Sequence, residues 1–515
     1  PSIWIVQRRK KRKMTKWIHS GAEARRIDQK AIQEIGIPSL VLMEHAASKI
    51  TEALLKEYGH MASFAVLAGP GNNGADGLAV ARLLQHHHKK PIVFIDETAH
   101  FSEEEAIHLQ ACRNLGIEIR SLEDDFSEAQ VLVDALFGSG LSRNIEGKWA
   151  RVIERANRSK AITVSIDVPS GLNGTTGQIM NTAAAADLVL CLDCIKTGCL
   201  IEQGPQVCKS VQVLDITIPD SLHLQSPNPI RLLDRQEAAG LLQSRPKNSH
   251  KGTFGKVLMA GGSLAMQGAL DMAFQACFAS GAGTVTLFAP KEAAKAIASK
   301  QDLAMMICAD QNEDGTFGAD AWKQLRNLLP SYTHASCGNG MGQSDAAGMV
   351  VKTLLDSPLP LVLDADGLNN IASDPALLDR NAPLILTPHV KEFSRISGFH
   401  TQEILSDPFG YAQKFLKQHP HVILVLKASW TLIASSQEGY FLDCPNSALA
   451  KGGSGDVLCG IITGLLAQNY PPLQAAALGV WLASASARQG SRCPWTWTPL
   501  KTVAHLQDAF EELLI

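Results

Sequence analysis

Val66–Leu84 reads VLAGPGNNGADGLAVARLL: an apolar run, a turn carrying three glycines and two asparagines, then apolar residues at helical spacing. A change from strand to helix period across a glycine turn is the unit from which parallel α/β sheets are assembled. From about Met61 the unit recurs, as FAVLAG, IVFI, VLVDALF, ITVSIDVPSG, LVLCL and VQVLDI alternate with amphipathic segments. A second block repeats the pattern with KVLMAG, GTVTLFAP, LVLDAD, LILTPH, VILVLKAS and TLIAS. Between them PDSLHLQSPNP, residues 219–229, carries three prolines and little periodicity. The expected fold class is α/β in two domains, covering 14–220 and 234–515, with a linker at 221–233 and a disordered basic extension at 1–13.

A chain of 515 residues exceeds one ordinary core, in line with that division. Its 45% hydrophobic and 19% charged residues match soluble globular enzymes. A net charge of -3 and the lack of a basic stripe in the body of the chain argue against nucleic-acid partners. No apolar run reaches membrane-spanning length, since VILVLKASWTLIA is broken by Lys427. The basic run Arg8–Lys13 has no apolar signal core after it, and Met14 directly follows it, so a start of translation at Met14 is expected. Eleven cysteines without a framework suit a reducing cytoplasm. Cys191 and Cys194 are expected to be buried thiols rather than zinc ligands, and His86 to His88 a solvated helix end.

Strand-end loops carry the chemistry, because open α/β sheets bind ligands at the carboxyl ends of their strands. Around Asn72, Asn73, Gly74, Ala75 and Asp76 the first loop forms an anion or polar-ligand cradle, lacking both the dinucleotide G-x-G-x-x-G spacing and a P-loop lysine. VLVDALFGSGLSR and SIDVPSGLNGTTG each end an apolar run in an aspartate before a glycine-rich loop, which brings Asp134 and Asp167 to one sheet edge. Asn73, Asp134 and Ser170 offer hard oxygen ligands for an alkali or alkaline-earth cation. In the second block NSALAKGGSGDVLCG, Asn446–Gly460, joins a glycine turn to a helix start. Backbone amides of Gly452, Gly453, Ser454 and Gly455 form a nest for phosphate, and Asp456 is placed to take a proton from a substrate hydroxyl.

The motifs IPSLVLMEHAA, LAGPGNNGADGL, VDALFGSGL and IDVPSGL together resemble the epimerase domain of the NAD(P)H-hydrate repair enzymes, over roughly residues 18 to 218. NSHKGTFGKVLMAGGS, LVLDADGLN, LILTPHVKEFSR, LVLKASWTLIA and AKGGSGDVLCGII similarly resemble the ADP- or ATP-dependent NAD(P)H-hydrate dehydratase, over about 235 to 510. The resemblance implies a Rossmann-like three-layer αβα domain followed by a ribokinase-like αβα domain. It implies that Asn72 to Asp76 and Gly138, Ser139, Gly140, Leu141, Ser142, Arg143 and Asn144 hold the hydrated nucleotide. Asn73, Asp134 and Ser170 would surround potassium, with Asp167 as acid/base and Lys196 as a second candidate. In the dehydratase half, Lys427, Ala428, Ser429, Trp430, Thr431 and Gly455 would line the adenine nucleotide site, and Ala269, Gly342, His389 and Asp456 would contact the hydrate.

Hydroxide is a poor leaving group, so phosphorylating the hydrate hydroxyl with ADP or ATP, magnesium bridging the phosphates, would let the ring nitrogen expel phosphate and restore dihydronicotinamide. The small-molecule partners are thus hydrated NADH or NADPH and ADP or ATP, and a homo-oligomer is the expected assembly. Departures from the family pattern are Ala75, His45 and Ala47 in the first half, and Asn339, Met341 and Ala483 in the second. Lys451 replaces a common threonine beside the glycines, where it is expected to influence nucleotide preference. Two rivals differ in outcome: a ribokinase-like small-molecule kinase would release a stable phosphoester, and a first domain acting as a scaffold would bind nucleotide without turnover.

Overall fold

Seven parallel strands build the first sheet, and its inner strands are apolar on both faces, as a sheet covered by helices on both sides requires. They are β1 (Ser63–Ala68), β2 (Lys90–Ile95), β3 (Glu118–Ser121), β4 (Val131–Ala135), β5 (Ile162–Ile166), β6 (Leu188–Leu192) and β7 (Val211–Leu214), in spatial order 3-2-1-4-5-6-7. The computed structural model describes residues 15–515, so the basic extension at 1–13 lies outside the described residues. Along β1 the burial alternates in direction: Phe64, Val66 and Ala68 pack into one core with Leu78 and Leu84, while Ala65 and Leu67 pack into the opposite one with Ile153. Strand order reverses between β1 and β4, and a crevice opens there at the carboxyl ends.

The chain divides into two units, the first ending at Arg231 and the second beginning at Leu232. Within 221–233 lie most of the helix Asp220–Leu224 and the strand Ile230–Leu232. The second unit runs through β8 (Lys256–Ala260), β9 (Thr284–Pro290), β10 (Met305–Ala309), β11 (His334–Cys337), β12 (Leu361–Leu363), β13 (Leu384–Leu386), β14 (Val422–Lys427), β15 (Thr431–Ala434) and β16 (Gly439–Leu442). Their spatial order is 10-9-8-11-12-13-14-15-16, parallel as far as β14 and antiparallel in the last two pairings. Here the order reverses between β8 and β11. The units are the Rossmann-like and ribokinase-like αβα folds that the sequence leads one to expect.

The helix Ser454–Ala467 fixes the second site. It packs so tightly on the helix Gln267–Ala279 that a Cβ on Gly460 would lie 2.2 Å from the Ala273 carbonyl oxygen, and one on Gly464 2.4 Å from that of Cys277. Backbone contact of this closeness leaves the helix little freedom to slide, so its first turn is held still.

Candidate active sites

In the first unit, β1 runs into Gly71, whose φ of +108° only glycine adopts without strain, and the helix Asn72–His86 begins. No side chain caps that helix, leaving its first-turn amides open to a ligand. The helix start borders a cavity of about 540 Å³ lined by Asn72, Asn73, Asp76, Asp167 and Lys196 and by residues Gly138 to Arg143. Gly74 and Ala75 do not line it, and Ala75 is fully buried against the sheet; Asn144 also lies outside the lining.

Asp167 stands just past β5 with φ +67°, a conformation a carboxylate side chain rarely adopts and one that often marks function. Its Oδ1 accepts from Lys196 Nζ at 2.5 Å, and Lys196 also donates to the carbonyls of Leu192 (2.8 Å) and Cys194 (3.2 Å). Burial works against the ammonium, but Asp167 outweighs it and holds Lys196 above its ordinary value. Burial, then the charges of Asp167 and Asp28, push the Asp76 carboxyl well above the usual carboxylate range. Asp28, also facing the cavity, is pushed up to about 7 by the surrounding protein. Behind Asp193, another lining residue, His223 Nε2 lies 3.2 Å away, and His223 Nδ1 meets His19 Nε2 at 3.1 Å. His19 is driven down to about 3, chiefly by burial, and is neutral.

Asp134 reaches the same sheet edge but turns inward. Its carboxylate accepts from Ser165 Oγ (2.7 Å), the Ser170 amide (2.9 Å) and Ser170 Oγ (2.5 Å). Asn73 sits beside Gly138, its buried Nδ2 without a hydrogen-bond partner. Asp134, Ser165 and Ser170 therefore form a nearly dry hydrogen-bonded cluster around one carboxylate, and Asn73 lies against the loop at Gly138.

In the second unit Gly453, at φ +99°, caps the helix Ser454–Ala467, again without a side-chain cap, and Gly452 faces open space. Asp456 in the first turn accepts at Oδ1 from Asn339 Nδ2 at 2.8 Å. The same Nδ2 lies 3.2 Å from Asp364 Oδ2, while Asp364 Oδ1 accepts from Thr387 Oγ1 (2.7 Å) and Lys427 Nζ (3.1 Å). A Cβ on Gly455 would lie 3.5 Å from Lys427 Nζ, which puts that ammonium directly at the helix start. Burial, then the charge of Asp364, raises Asp456 to about 6, a value suited to a general base near neutral pH.

The remaining predicted residues divide. Ala269 lies against Gly340, and Gly342 donates its amide to Asp366 Oδ2 at 2.9 Å, so both border the loop that carries Asn339. His389 caps the helix Val390–Ser397: Nδ1 accepts from the Glu392 amide at 3.1 Å, and Nε2 of the half-exposed ring lies 3.6 Å from Glu392 Oε1. Trp430 stacks on Phe441 at 5.6 Å and is nearly buried, so Ala428 to Thr431 present backbone rather than this ring. Lys451 Nζ donates to the carbonyls of Trp495 (2.7 Å) and Trp497 (2.5 Å), which ties its charge to that segment instead of leaving it free for phosphates.

Sequence reasoning passed over Asp364, Thr387, Asn339 and Asp28 as site residues. Asp364 ends the apolar run LVLDAD, the same signal that pointed to Asp134 and Asp167, and Asn339 stood out only as a departure. Asp28 lies on the helix Gly21–Gln33, ahead of the first sheet, where no strand-end rule applies.

Two α/β units, each with ionisable side chains gathered at a strand-order reversal and an uncapped helix start, define an enzyme that handles two anionic or nucleotide ligands. Comparison with known proteins narrows this. Residues 257–507 match the family model described as NAD(P)H-hydrate dehydratase, and residues 39–198 match that of the YjeF-related protein N-terminus. Bifunctional NAD(P)H-hydrate repair enzymes of Coxiella burnetii and Moorella thermoacetica are each 32% identical to the chain, covering 91% and 92% of it and 94% and 93% of their own lengths. A solved ADP/ATP-dependent NAD(P)H-hydrate dehydratase from Bacillus subtilis, co-crystallised with ATP/Mg2+, is 27% identical at a TM-score of 0.48, over 55% of this chain and 98% of that one. The chain belongs to the family of bifunctional NAD(P)H-hydrate repair enzymes.

Proposed function

We propose that residues 14–220 epimerise the R and S hydrates of NADH and NADPH, and that residues 234–515 dehydrate the S form at the expense of ADP or ATP, with 221–233 joining them. The observation that carries this reading is Asp456: a carboxylate raised to about 6, at the start of an uncapped helix and beside Lys427. In its ionised form it takes the proton of the hydrate hydroxyl as phosphate is transferred, and the Gly452–Gly455 amides offset the charge that develops. Lys427 supplies fixed positive charge at the same point.

In the first unit the hydrate lies over Asp167 and Lys196. Inverting the carbon that bears the hydroxyl requires its bond to the ring nitrogen or to the hydroxyl oxygen to break and re-form on the opposite face, with a proton moved between substrate and protein at each stage. Asp167 and the protonated Lys196, in contact, form a base and an acid within one pair. Potassium would be held by Asn73, Asp134 and Ser170, whose single carboxylate and neutral oxygens suit a monovalent cation. When bound, the cation would supply fixed positive charge beside the loops after β1 and β4. Magnesium travels with the nucleotide, and the open space at Gly452 leaves room for its phosphates. Eleven free cysteines, most of them buried, suit a reducing compartment such as the cytoplasm.

The test is recovery of NADH absorbance from a mixture of R and S hydrates with ADP or ATP. Complete recovery is expected. No recovery with either nucleotide, together with a stable phosphoester from another hydroxyl substrate, would replace this reading with that of a small-molecule kinase.

A further inference from the structure

Asn339 lies two residues past β11, in the glycine-rich loop Gly338–Gly342. Its backbone is pinned: Gly338 and Gly340 on either side have φ +122° and +65°, and its carbonyl accepts from the Gly262 amide at 2.8 Å. The side chain is 1% exposed, and its one NH2 group lies within bonding distance of two carboxylates, Asp456 Oδ1 at 2.8 Å and Asp364 Oδ2 at 3.2 Å. The other donors on Asp364, Thr387 and Lys427, both reach Oδ1. Asn339 is therefore the group that joins the two acids on their facing sides.

We propose that Asn339 is a positioning residue for dehydration: its NH2 ties Asp456 Oδ1 to Asp364, so that the second oxygen of Asp456 is the one presented to the hydrate hydroxyl. This rests on the reading of Asp456 as the base. The tether fixes the carboxylate's rotation, and an amide donor also favours the ionised form over the protonated one. Asp456 is raised by burial and by Asp364, and the bond from Asn339 works against both. The charged and titratable groups near Asp456 are Asp364 after β12, Lys427 at the end of β14, and Cys459 a turn further along its own helix. Glu392 acts on Lys427, and His389 acts on Glu392.

The experiment measures kcat and KM for the S hydrate across pH for wild type, Asn339→Ala, Asn339→Ser and Asp456→Asn, with thermal melting of each. Activity falls as pH drops through the base's titration, because a protonated carboxyl cannot take the hydroxyl proton. Without the amide donor that limb moves up by about half to one pH unit, so that acid-side turnover drops roughly 3- to 10-fold and recovers in alkali, while KM holds. Asn339→Ser, whose shorter side chain holds its hydroxyl farther from both carboxylates, falls between wild type and Asn339→Ala. A limb that stays in place in both Asn339 variants, with turnover lost equally at every pH or not at all, overturns the proposal and leaves Asn339 a packing residue. Wild-type turnover in Asp456→Asn would instead overturn the reading of the base itself.

Discussion

Asp456→Asn is expected to lower turnover of the pure S hydrate by about 10²- to 10⁴-fold, the usual contribution of a general base. The amide is nearly isosteric and its oxygen still accepts from Asn339, so the geometry at Oδ1 survives while basicity is lost. Hydrate and nucleotide should bind as before, which confines the defect to kcat. Epimerisation by the same protein should be unaffected. The check is the rate of NADH absorbance recovery at saturating S hydrate and nucleotide, beside R-to-S interconversion followed by chromatography. A variant that turns over within a few-fold of wild type would show that the hydroxyl proton leaves by another route.

Asp167→Asn is expected to slow epimerisation by a similar factor of about 10²- to 10⁴-fold, so that a mixed hydrate sample recovers NADH quickly to the S fraction and then nearly stalls. This substitution has a second effect. Lys196 is 3% exposed, and removing the charge of its partner leaves an ammonium buried among neutral acceptors only, a change that typically costs about 3–5 kcal/mol. Melting temperature should therefore fall along with activity. The double variant Asp167→Asn with Lys196→Met separates the two: it should regain most of the lost stability but none of the epimerisation. Recovery of both would mean that Asp167 matters only for folding.

Periodicity and glycine turns made the α/β architecture legible, because a parallel sheet buried on both faces must be written as apolar runs separated by helices. Asp134, Asp167 and Asp456 were legible for a related reason: each falls where a strand ends or a helix starts, and topology alone brings such positions to the ligand. What topology does not determine is the direction a side chain takes from there. Asp134 turns into Ser165 and Ser170 whereas Asp167 meets the cavity, and no local pattern separates the two. The contacts of Asn339 with Asp456, 117 residues apart, and of Lys427 with Asp364, 63 apart, depend on how distant loops converge. Lys451 shows the converse: proximity in sequence to the glycine nest suggested a phosphate contact, but two carbonyls some 45 residues downstream hold it.

The enclosed setting of Asp456 also bears on how the fold endures. An acid raised from 3.8 to about 6 is one whose charge the folded protein tolerates less well than the unfolded chain does. Its favourable contribution is complete below the unfolded value, near 3.8, and is gone once pH has risen through about 6, so at neutral pH the base is a standing burden on the native state. Asp456→Asn should then melt higher than wild type at neutral pH, with the gap closing in acid, as scanning calorimetry at the two conditions would reveal. In that sense the enzyme gives up some durability at every moment to keep one proton acceptor ready, and a more heat-resistant version of this helix start would be a less useful one.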